Sequence, residues 1–244
     1  MVCNIKRTTF SLAIAGAILT AGFSTGAIAD GKNASKYRSH TYKITVKNLT
    51  YGQIFSPPIA AAHSYKVRAF SAGQPASAGL EVLAEDGVPS DLAAELEAEG
   101  ANVAVNGGDT PAPVLPGESA TFYLTASKKN PFVSVLGMLV TTNDAFFGLS
   151  AVYPKGHRST HRVPAYDAGT EVNDENCNHI PGPPCGNGGQ SITPGENGPD
   201  EDGVVHIHRG MHSLSDGVDA IDAARDDWRN PVAEITIVPV RRKK

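Results

Sequence analysis

The sequence predicts an all-β protein, an antiparallel β-sandwich that carries two short helical insertions and one long loop pinned by a disulfide. Strand-like segments occur near both ends of the chain, at 41–48 and 232–240, and two capped, helix-like segments lie between them. The segment 173–202 is rich in Gly, Pro, Asn and acidic residues. Strands at both ends with short helices between them are typical of a sandwich with insertions.

The first predicted strand is 41–48, where apolar and polar residues alternate as in a strand with one buried face. The segment 49–64 is predicted to be a loop, because Pro57-Pro58 interrupts regular structure. Residues 65–70 fit a strand or a helix equally well. The sequence therefore places an irregular region directly after the first strand.

Two short helices are predicted next. Ser77 is a candidate N-cap for the first, which ends at Gly87. Ser90 is a candidate N-cap for the second, which ends at Gly100. Acidic residues on the outer side of the second helix are typical of a solvated face.

Strand patterns return in the second half of the chain. The nearly continuous apolar segment 132–142 predicts a central strand that is covered on both faces. Pro239 indicates either an edge or the end of the last strand. The other predicted strands in this half are 120–125, 147–153, 204–208 and 232–240.

Residues 1–29 fit a secretory signal peptide. Lys6 and Arg7 precede the apolar run 10–23, and an A-x-A sequence ends at Ala29. The run is shorter than the roughly 20 residues of a membrane span, although an uncleaved anchor is the alternative interpretation. Cleavage near Ala29 predicts a secreted protein, periplasmic or extracellular, that begins with a flexible segment, 30–40.

The charge pattern argues against a nucleic-acid binder. The net charge is −4, and no basic stripe with interleaved aromatic residues is present. The basic cluster 241–244 is interpreted as a solvated tail. We also find no recognisable nucleophile motif and no Gly-rich phosphate loop after a strand. A non-enzymatic protein, without catalytic residues, is therefore expected.

Cys177 and Cys185 are the two cysteines that remain after cleavage. An even pair that closes a short loop in an exported chain predicts a disulfide. The alternative is a metal pair completed by His179, for which the sequence offers no fourth ligand nearby.

The segment 166–175 (YDAGTEVNDE) concentrates four carboxylates, which fits a solvated loop, a catalytic acid pair or a metal site. Asp167 and Glu171 lie four positions apart, and Asp144 follows the most apolar predicted strand. Neighbouring carboxylates repel unless a proton or cation intervenes. Ca²⁺ accepts about 6–8 oxygen ligands of this kind. Spacing alone leaves both a solvated loop and a calcium site open.

The segment VVHIHRGMH contains three histidines, His206, His208 and His212. Imidazoles at i and i+2 of a strand can share a transition metal, which would make a metal-dependent hydrolase the alternative function. The other interpretation is that the histidines line a polar strand face and bond to neighbouring loops. Imidazole is a poor Ca²⁺ ligand, so we assign the histidines to a possible secondary site.

Six stretches, in one order over about 41–240, resemble the spondin N-terminal domain of the extracellular proteins F-spondin and mindin and of secreted bacterial proteins. The DAGTE and NDAFFGL elements are the most specific. The resemblance implies a spondin-like domain over 41–240, with a C2-like β-sandwich and one Ca²⁺ held by loops at its end. The six stretches are LTYGQIFSPPIAAAHS, SAGLEVLAEDG, LVTTNDAFFGL, AYDAGTEVNDE with IPGPP, VVHIHRGMH and DWRNPVAEITI.

The resemblance also implies the ligands. In the family they are the aspartate after the central strand and the two acidic positions of D-A-G-T-[DE], which correspond to Asp144, Asp167 and Glu171. Glu171 stands where animal members have Asp, so its denticity can differ. The resemblance implies a role in extracellular or envelope recognition or adhesion, with a protein or glycan partner. Binding to a membrane surface through Phe146-Phe147 is a further hypothesis, although these residues also fit the start of a core strand.

Overall fold

The computed structural model describes residues 39–185, 198–212 and 221–240, all of which belong to one unit of the chain, 37–244. The predicted signal peptide, almost all of the segment 30–40 and the basic tail lie outside the described residues. Within the described residues, the order of elements is β1 (His40–Asn48), β2 (Ile59–His63), α1 (Ala78–Asp86), α2 (Ser90–Ala98), β3 (Asn102–Val105), β4 (Ser119–Ala126), β5 (Phe132–Met138), β6 (Ala145–Val152), β7 (Ser159–Val163), β8 (Ala165–Asp167), β9 (His206–Ile207), α3 (Ala223–Asp226) and β10 (Ala233–Pro239).

The described strands form two antiparallel sheets. The four-stranded sheet has the order β4-β1-β10-β7, and the six-stranded sheet has the order β3-β2-β5-β6-β8-β9. Apolar side chains of both sheets share one core, in which Ile44 of β1 and Phe147 of β6 are fully buried. The predicted antiparallel β-sandwich is therefore confirmed.

The two helices form a third layer on the other face of the six-stranded sheet. Leu83 of α1 and Leu92 of α2 pack in a second core with Leu136 of β5 and Phe146 of β6. This layer explains why β5 is almost continuously apolar, since each of its faces meets a packed layer. The predicted central strand is confirmed, but it ends at Met138, and residues 139–144 turn into β6.

The first helix has the predicted caps. The Ser77 hydroxyl accepts a hydrogen bond from the Leu80 N–H (3.3 Å), and Gly87 has φ of +69°, as a left-handed C-cap requires. The second cap prediction was wrong, because Ser90 is the first residue of α2 and Pro89 occupies the N-cap position without a side-chain hydrogen bond.

Several strands were not predicted. β2 lies inside the predicted loop 49–64. It was missed because the prolines end just before it and its small, buried alanines show no alternating pattern. β7 pairs with one neighbour only and is largely polar, so it has no apolar period. β3 and β8 are four and three residues long, too short to show a period. Residues 65–70 form neither a strand nor a helix.

Candidate metal centre

The pairing of β6 with β8 brings two acidic residues together. Ala145, the first residue of β6, lies opposite Asp167, the last residue of β8. Asp144 therefore comes beside Asp167, although the two are 23 positions apart in the chain. Gly169, with φ of +70°, turns the chain directly after Asp167, and its position lies so close to Val204 that a Cβ would clash with the backbone there. The turn directs Glu171 back toward Asp144.

Asp144 is fully buried and is held by the segment it faces. Its Oδ2 accepts hydrogen bonds from the backbone N–H groups of Thr170 (3.0 Å) and Glu171 (3.3 Å). Among the residues that the structure describes, no donor reaches its Oδ1, which is buried. A buried carboxylate oxygen without a partner is costly, so this atom calls for a donor or a cation.

The two side-chain oxygens of Glu171 also differ in their hydrogen bonding. This residue is 1% exposed, and its Oε1 accepts a hydrogen bond from Asn143 Nδ2 (2.8 Å). Its Oε2 is buried and has no hydrogen-bond donor within the described ranges. Asp144 and Glu171 therefore each present one satisfied and one unsatisfied oxygen.

Asp167 is held on both sides. Its Oδ1 accepts from the Gly169 N–H, and its Oδ2 accepts from Asn173 Nδ2, both at 2.8 Å. These bonds fix the carboxylate in position while leaving lone pairs on both oxygens, since a carboxylate can accept about four hydrogen bonds.

The structure adds Glu85 to this group, a residue that the sequence did not single out. Glu85 lies in the last turn of α1, is 2% exposed, and hydrogen-bonds the side chain of Thr170. The charge of Asp144 raises the pKa of Glu85, and the charge of Glu85 raises the pKa of Glu171. The only indication in the sequence that Glu85 could be buried is its position three residues after the apolar Val82. The packing of α1 shows that its side chain points inward.

Burial raises the pKa of three carboxyl groups here, those of Asp144, Glu171 and Glu85. It raises the pKa of Asp144 to about 7, with the charge of Asp167 adding to the effect. It also raises the pKa of Glu171 to about 8 and that of Glu85 to about 7. Buried carboxylates with little opposite charge nearby are stabilised either by protons or by a cation.

His208 lies next to this group and is 6% exposed. Its Nδ1 faces the Gly210 N–H (3.0 Å), so this nitrogen is the acceptor, and the network assigns the ring proton to Nε2, which donates to Asn173 Oδ1 (3.0 Å). Burial lowers the pKa of His208 to about 4, so the ring is neutral near pH 7.

The other two histidines of the predicted cluster have different partners. The His206 ring donates from Nδ1 to the Val204 carbonyl (3.0 Å) and lies 3.6 Å from Asp167 Oδ1. The His212 ring lies 3.6 Å from Glu175 Oε1, which also accepts a hydrogen bond from the His212 backbone N–H. In the described ranges, one set of three His, Cys, Asp or Glu side chains has ligand atoms that all lie within 4.8 Å of one another, namely Asp144, Asp167 and His208. Glu171 is not in this set, and the three histidines do not form a second one.

The predicted disulfide between Cys177 and Cys185 is confirmed. Its loop is tied to the acidic group, because the His179 ring contacts Asp174 Oδ2 (2.6 Å) and Asn143 Nδ2 donates to Asp174 Oδ1 (3.1 Å). The metal pair completed by His179 is therefore excluded, since both sulfurs are in the disulfide.

Two predictions about the surroundings of the site have clear outcomes. Phe146 and Phe147 are fully buried in β6, where they belong to the two cores, so they are not an exposed tip for a membrane surface. Glu175, at the end of the acidic segment 166–175, is 4% exposed, so this segment is not a fully solvated loop. None of the described helices is long and apolar enough to cross a membrane.

The chain matches the model of a known protein family. The family model described as Spondin_N matches residues 39–172, more than half of the chain. No curated protein matches. The matched range includes Glu85, Asp144, Asp167 and Glu171, and it ends before the disulfide and the histidines.

Proposed function

The chain belongs to the spondin N-terminal domain family, and we propose from this premise that it is a calcium-binding module of a secreted protein. In this proposal the module is non-enzymatic and acts in extracellular or envelope recognition or adhesion. The family and the disulfide both favour an extracellular or secreted location. The predicted signal peptide would bring the chain there.

The observation that carries the proposal is the pair of buried oxygens, Asp144 Oδ1 and Glu171 Oε2, that lack a donor among the described residues. Both belong to carboxyl groups whose pKa is raised by burial. A bound divalent cation would supply the missing partner and stabilise the ionised forms. Asp167 and Glu85 would contribute further carboxylate oxygens from the same group.

The donor chemistry supports calcium over a transition metal. The four acidic residues offer only oxygen atoms, which Ca²⁺ prefers. His208 is the one imidazole of the close group, and its hydrogen bonds place a proton on the nitrogen that faces Asn173 and Asp167. To bind a metal through Nε2, the ring would have to move its proton to Nδ1, where it would meet the Gly210 N–H.

The bound ion would join three parts of the chain. Asp144 lies in the turn between β5 and β6, and Glu85 lies in the last turn of α1. Asp167 is the last residue of β8, and Glu171 follows that strand. A cation held by all three would fix this end of the sandwich and stabilise the folded state by an amount that rises with the logarithm of its concentration over its Kd. The surface around the site would then be ordered for a protein or glycan partner.

Isothermal titration of the mature protein with Ca²⁺, Mg²⁺ and Zn²⁺ tests the proposal. We expect one calcium site per chain, with weaker magnesium binding because Mg²⁺ demands a more rigid octahedral arrangement. The absence of calcium binding would contradict the proposal. Tight, stoichiometric zinc binding that is lost in a His206→Ala, His208→Ala variant would instead support the metal-dependent hydrolase.

A further inference from the structure

The outer face of the four-stranded sheet carries a row of threonines that crosses all four strands. Thr45 of β1 lies opposite Thr121 of β4 and Thr236 of β10, and Thr236 lies opposite Thr160 of β7. The hydroxyls of Thr45 and Thr121 are 3.0 Å apart, and those of Thr160 and Thr236 are 3.2 Å apart. The face therefore presents a line of hydrogen-bonding groups across the strands.

Four cationic side chains lie around this row, namely Lys43, Lys47, Arg158 and Arg162. We call the surface that they define the cationic face. On β1, the two lysines lie two positions before and two positions after Thr45. At β7, the two arginines lie two positions before and two positions after Thr160. Alternate residues of a strand point to the same side, so Lys43, Lys47 and Arg162 project outward. Arg158 precedes β7, is exposed, and lines the same depression as the two lysines. Given a strand rise of about 3.3 Å and a spacing of about 4.8 Å, the four cations frame an area of about 10 by 13 Å.

The charges on this face are poorly compensated. In the described strands of this sheet the only carboxylate is Glu234, which pairs with Arg162 (3.1 Å). Four cations and one carboxylate leave three positive charges on a chain whose net charge is −4. A face opposite in sign to the whole chain indicates an anionic partner.

The shape of the face suits an extended ligand. A shallow depression of about 250 Å³ lies on it, lined by three cations, Lys43, Lys47 and Arg158, by the carboxylate Glu234, and by hydroxyls of the threonine row. Tyr123 lies opposite Lys43 in register and is 59% exposed, so its ring offers a flat surface at the edge of the depression. Hydroxyls and an exposed ring beside separated cations match a chain of anionic sugars.

We propose that the cationic face binds a linear anionic polysaccharide. Its carboxylate or sulfate groups pair with Lys43, Lys47 and Arg158, and its hydroxyls bond to the threonine row. This inference goes beyond the calcium site, because the face lies on the other sheet and needs no ion. A nucleic acid is disfavoured by the single exposed aromatic ring on the face, since single-stranded chains bind through several stacking rings.

The test is the affinity of the mature protein for heparin, a sulfated chain, and polygalacturonate, a carboxylated chain, with neutral dextran as a control. The face variant is Lys43→Thr, Arg158→Thr, and the matched variant is Lys66→Thr, Lys129→Thr, which removes two exposed cations elsewhere. Each variant is measured over a range of salt concentrations, with calcium and with EDTA. A third variant replaces residues 241–244 with serine, to separate the face from the basic tail.

We expect binding to at least one anionic chain but not to dextran, and the two arms distinguish sulfate from carboxylate recognition. The face variant should bind about tenfold more weakly, with a salt dependence that is shallower by about one to two in log–log slope. The matched and tail variants should bind nearly as well as the wild type, with or without calcium. Equal losses in the face and matched variants, loss on changing the tail alone, or stronger binding to duplex DNA or anionic vesicles would overturn the proposal.

Discussion

Asn143 and Glu171 are joined by a side-chain hydrogen bond of 2.8 Å across 28 positions of sequence. The same amide also donates to Asp174, and its oxygen accepts from the Glu175 N–H. Asn143 thus fixes the segment 171–175 against the turn that carries Asp144. The hydrogen bond uses one oxygen of Glu171 and leaves the other in position for a cation.

Neutralising Asp144 should have different effects on stability in the absence and in the presence of calcium. In EDTA, an Asp144→Asn variant should melt at the same temperature as the wild type or higher, because it removes a buried carboxylate whose ionised form is disfavoured. In calcium, the wild type should gain stability and the variant should not. Thermal unfolding followed by circular dichroism measures both differences.

The matched control for this experiment is Asp91→Asn, which neutralises an exposed carboxylate on α2. It should leave the calcium-dependent gain unchanged. If calcium stabilises the Asp144 variant as much as the wild type, Asp144 does not hold the ion.

Glu85 should contribute to calcium affinity although it comes from the helical layer. A Glu85→Gln variant keeps the shape and helix propensity of the side chain, and we expect its calcium affinity to fall by about 10–100-fold, the range for removing a group that supports a metal site. Calorimetric titration measures this, with Glu97→Gln on the exposed side of α2 as the control. Equal affinities for the Glu85 variant and the wild type would remove Glu85 from the site.

The disulfide should affect both stability and ion binding. Closing so short a loop contributes about 2–3 kcal/mol, so the Cys177→Ser, Cys185→Ser variant should lose that much unfolding free energy. Its calcium affinity should also fall by about tenfold, because Asp174 and Asn143 connect this loop to Glu171 and such outer contacts tune a metal site. Urea unfolding and calorimetry give the two quantities.

An Asn178→Ala variant is the control, since it changes an exposed residue of the same loop and keeps the disulfide. A loss of stability without any change in calcium affinity would show that the loop is not coupled to the site.

His63 should make the protein less stable in mild acid. It is fully buried, with Nδ1 bonded to the Ser64 carbonyl and Nε2 to the Ser134 hydroxyl, and burial lowers its pKa. Below about pH 6.5 the unfolded chain binds a proton that the folded chain does not. The contribution of His63 to the unfolding free energy should therefore fall as the pH drops through 6.5, by at most about 1.4 kcal/mol per unit, and level off below its folded pKa. The raised pKa values of Asp144, Glu171 and Glu85 act in the opposite direction, so the His63 contribution is measured as a difference between the wild type and a His63 variant.

Urea unfolding at a series of pH values between neutral and mildly acidic checks this slope. The wild type should lose stability relative to a His63→Gln variant as the pH falls, because glutamine keeps a donor and an acceptor but does not titrate. His157→Gln, at an exposed position, should leave the wild-type profile unchanged. Parallel profiles for the wild type and the His63 variant would contradict the assignment.

The sequence predicted those strands whose pattern reflects their burial. β1 and β4 bury one face and alternate, and β5 is covered on both faces and is continuously apolar. β2 and β7 were missed for opposite reasons, because β2 is a buried run of small residues and β7 is a polar edge strand. A pattern of polarity along the chain carries no information about such strands.

The candidate site was predictable only in part. The resemblance of the DAGTE and NDAFFGL elements led to Asp144, Asp167 and Glu171. The pairing of β6 with β8 brings Asp144 beside Asp167, and the backbone N–H of Glu171 donates to Asp144, but the Glu171 side chain is not part of the close group of Asp144, Asp167 and His208. Glu85 depends on how α1 packs, and the contact between His208 and Asp167 depends on the pairing of β8 with β9. These relationships are between distant segments and leave no local trace in the sequence.

The most direct test of the calcium site is a crystal structure of the mature protein grown with calcium, with the ion identified by its anomalous scattering. We predict one calcium ion bound to Asp144 Oδ1 and Glu171 Oε2, with the carboxylates of Asp167 and Glu85 beside it. A calcium-saturated crystal in which these two oxygens contact no ion, or in which the ion lies elsewhere, would contradict the account.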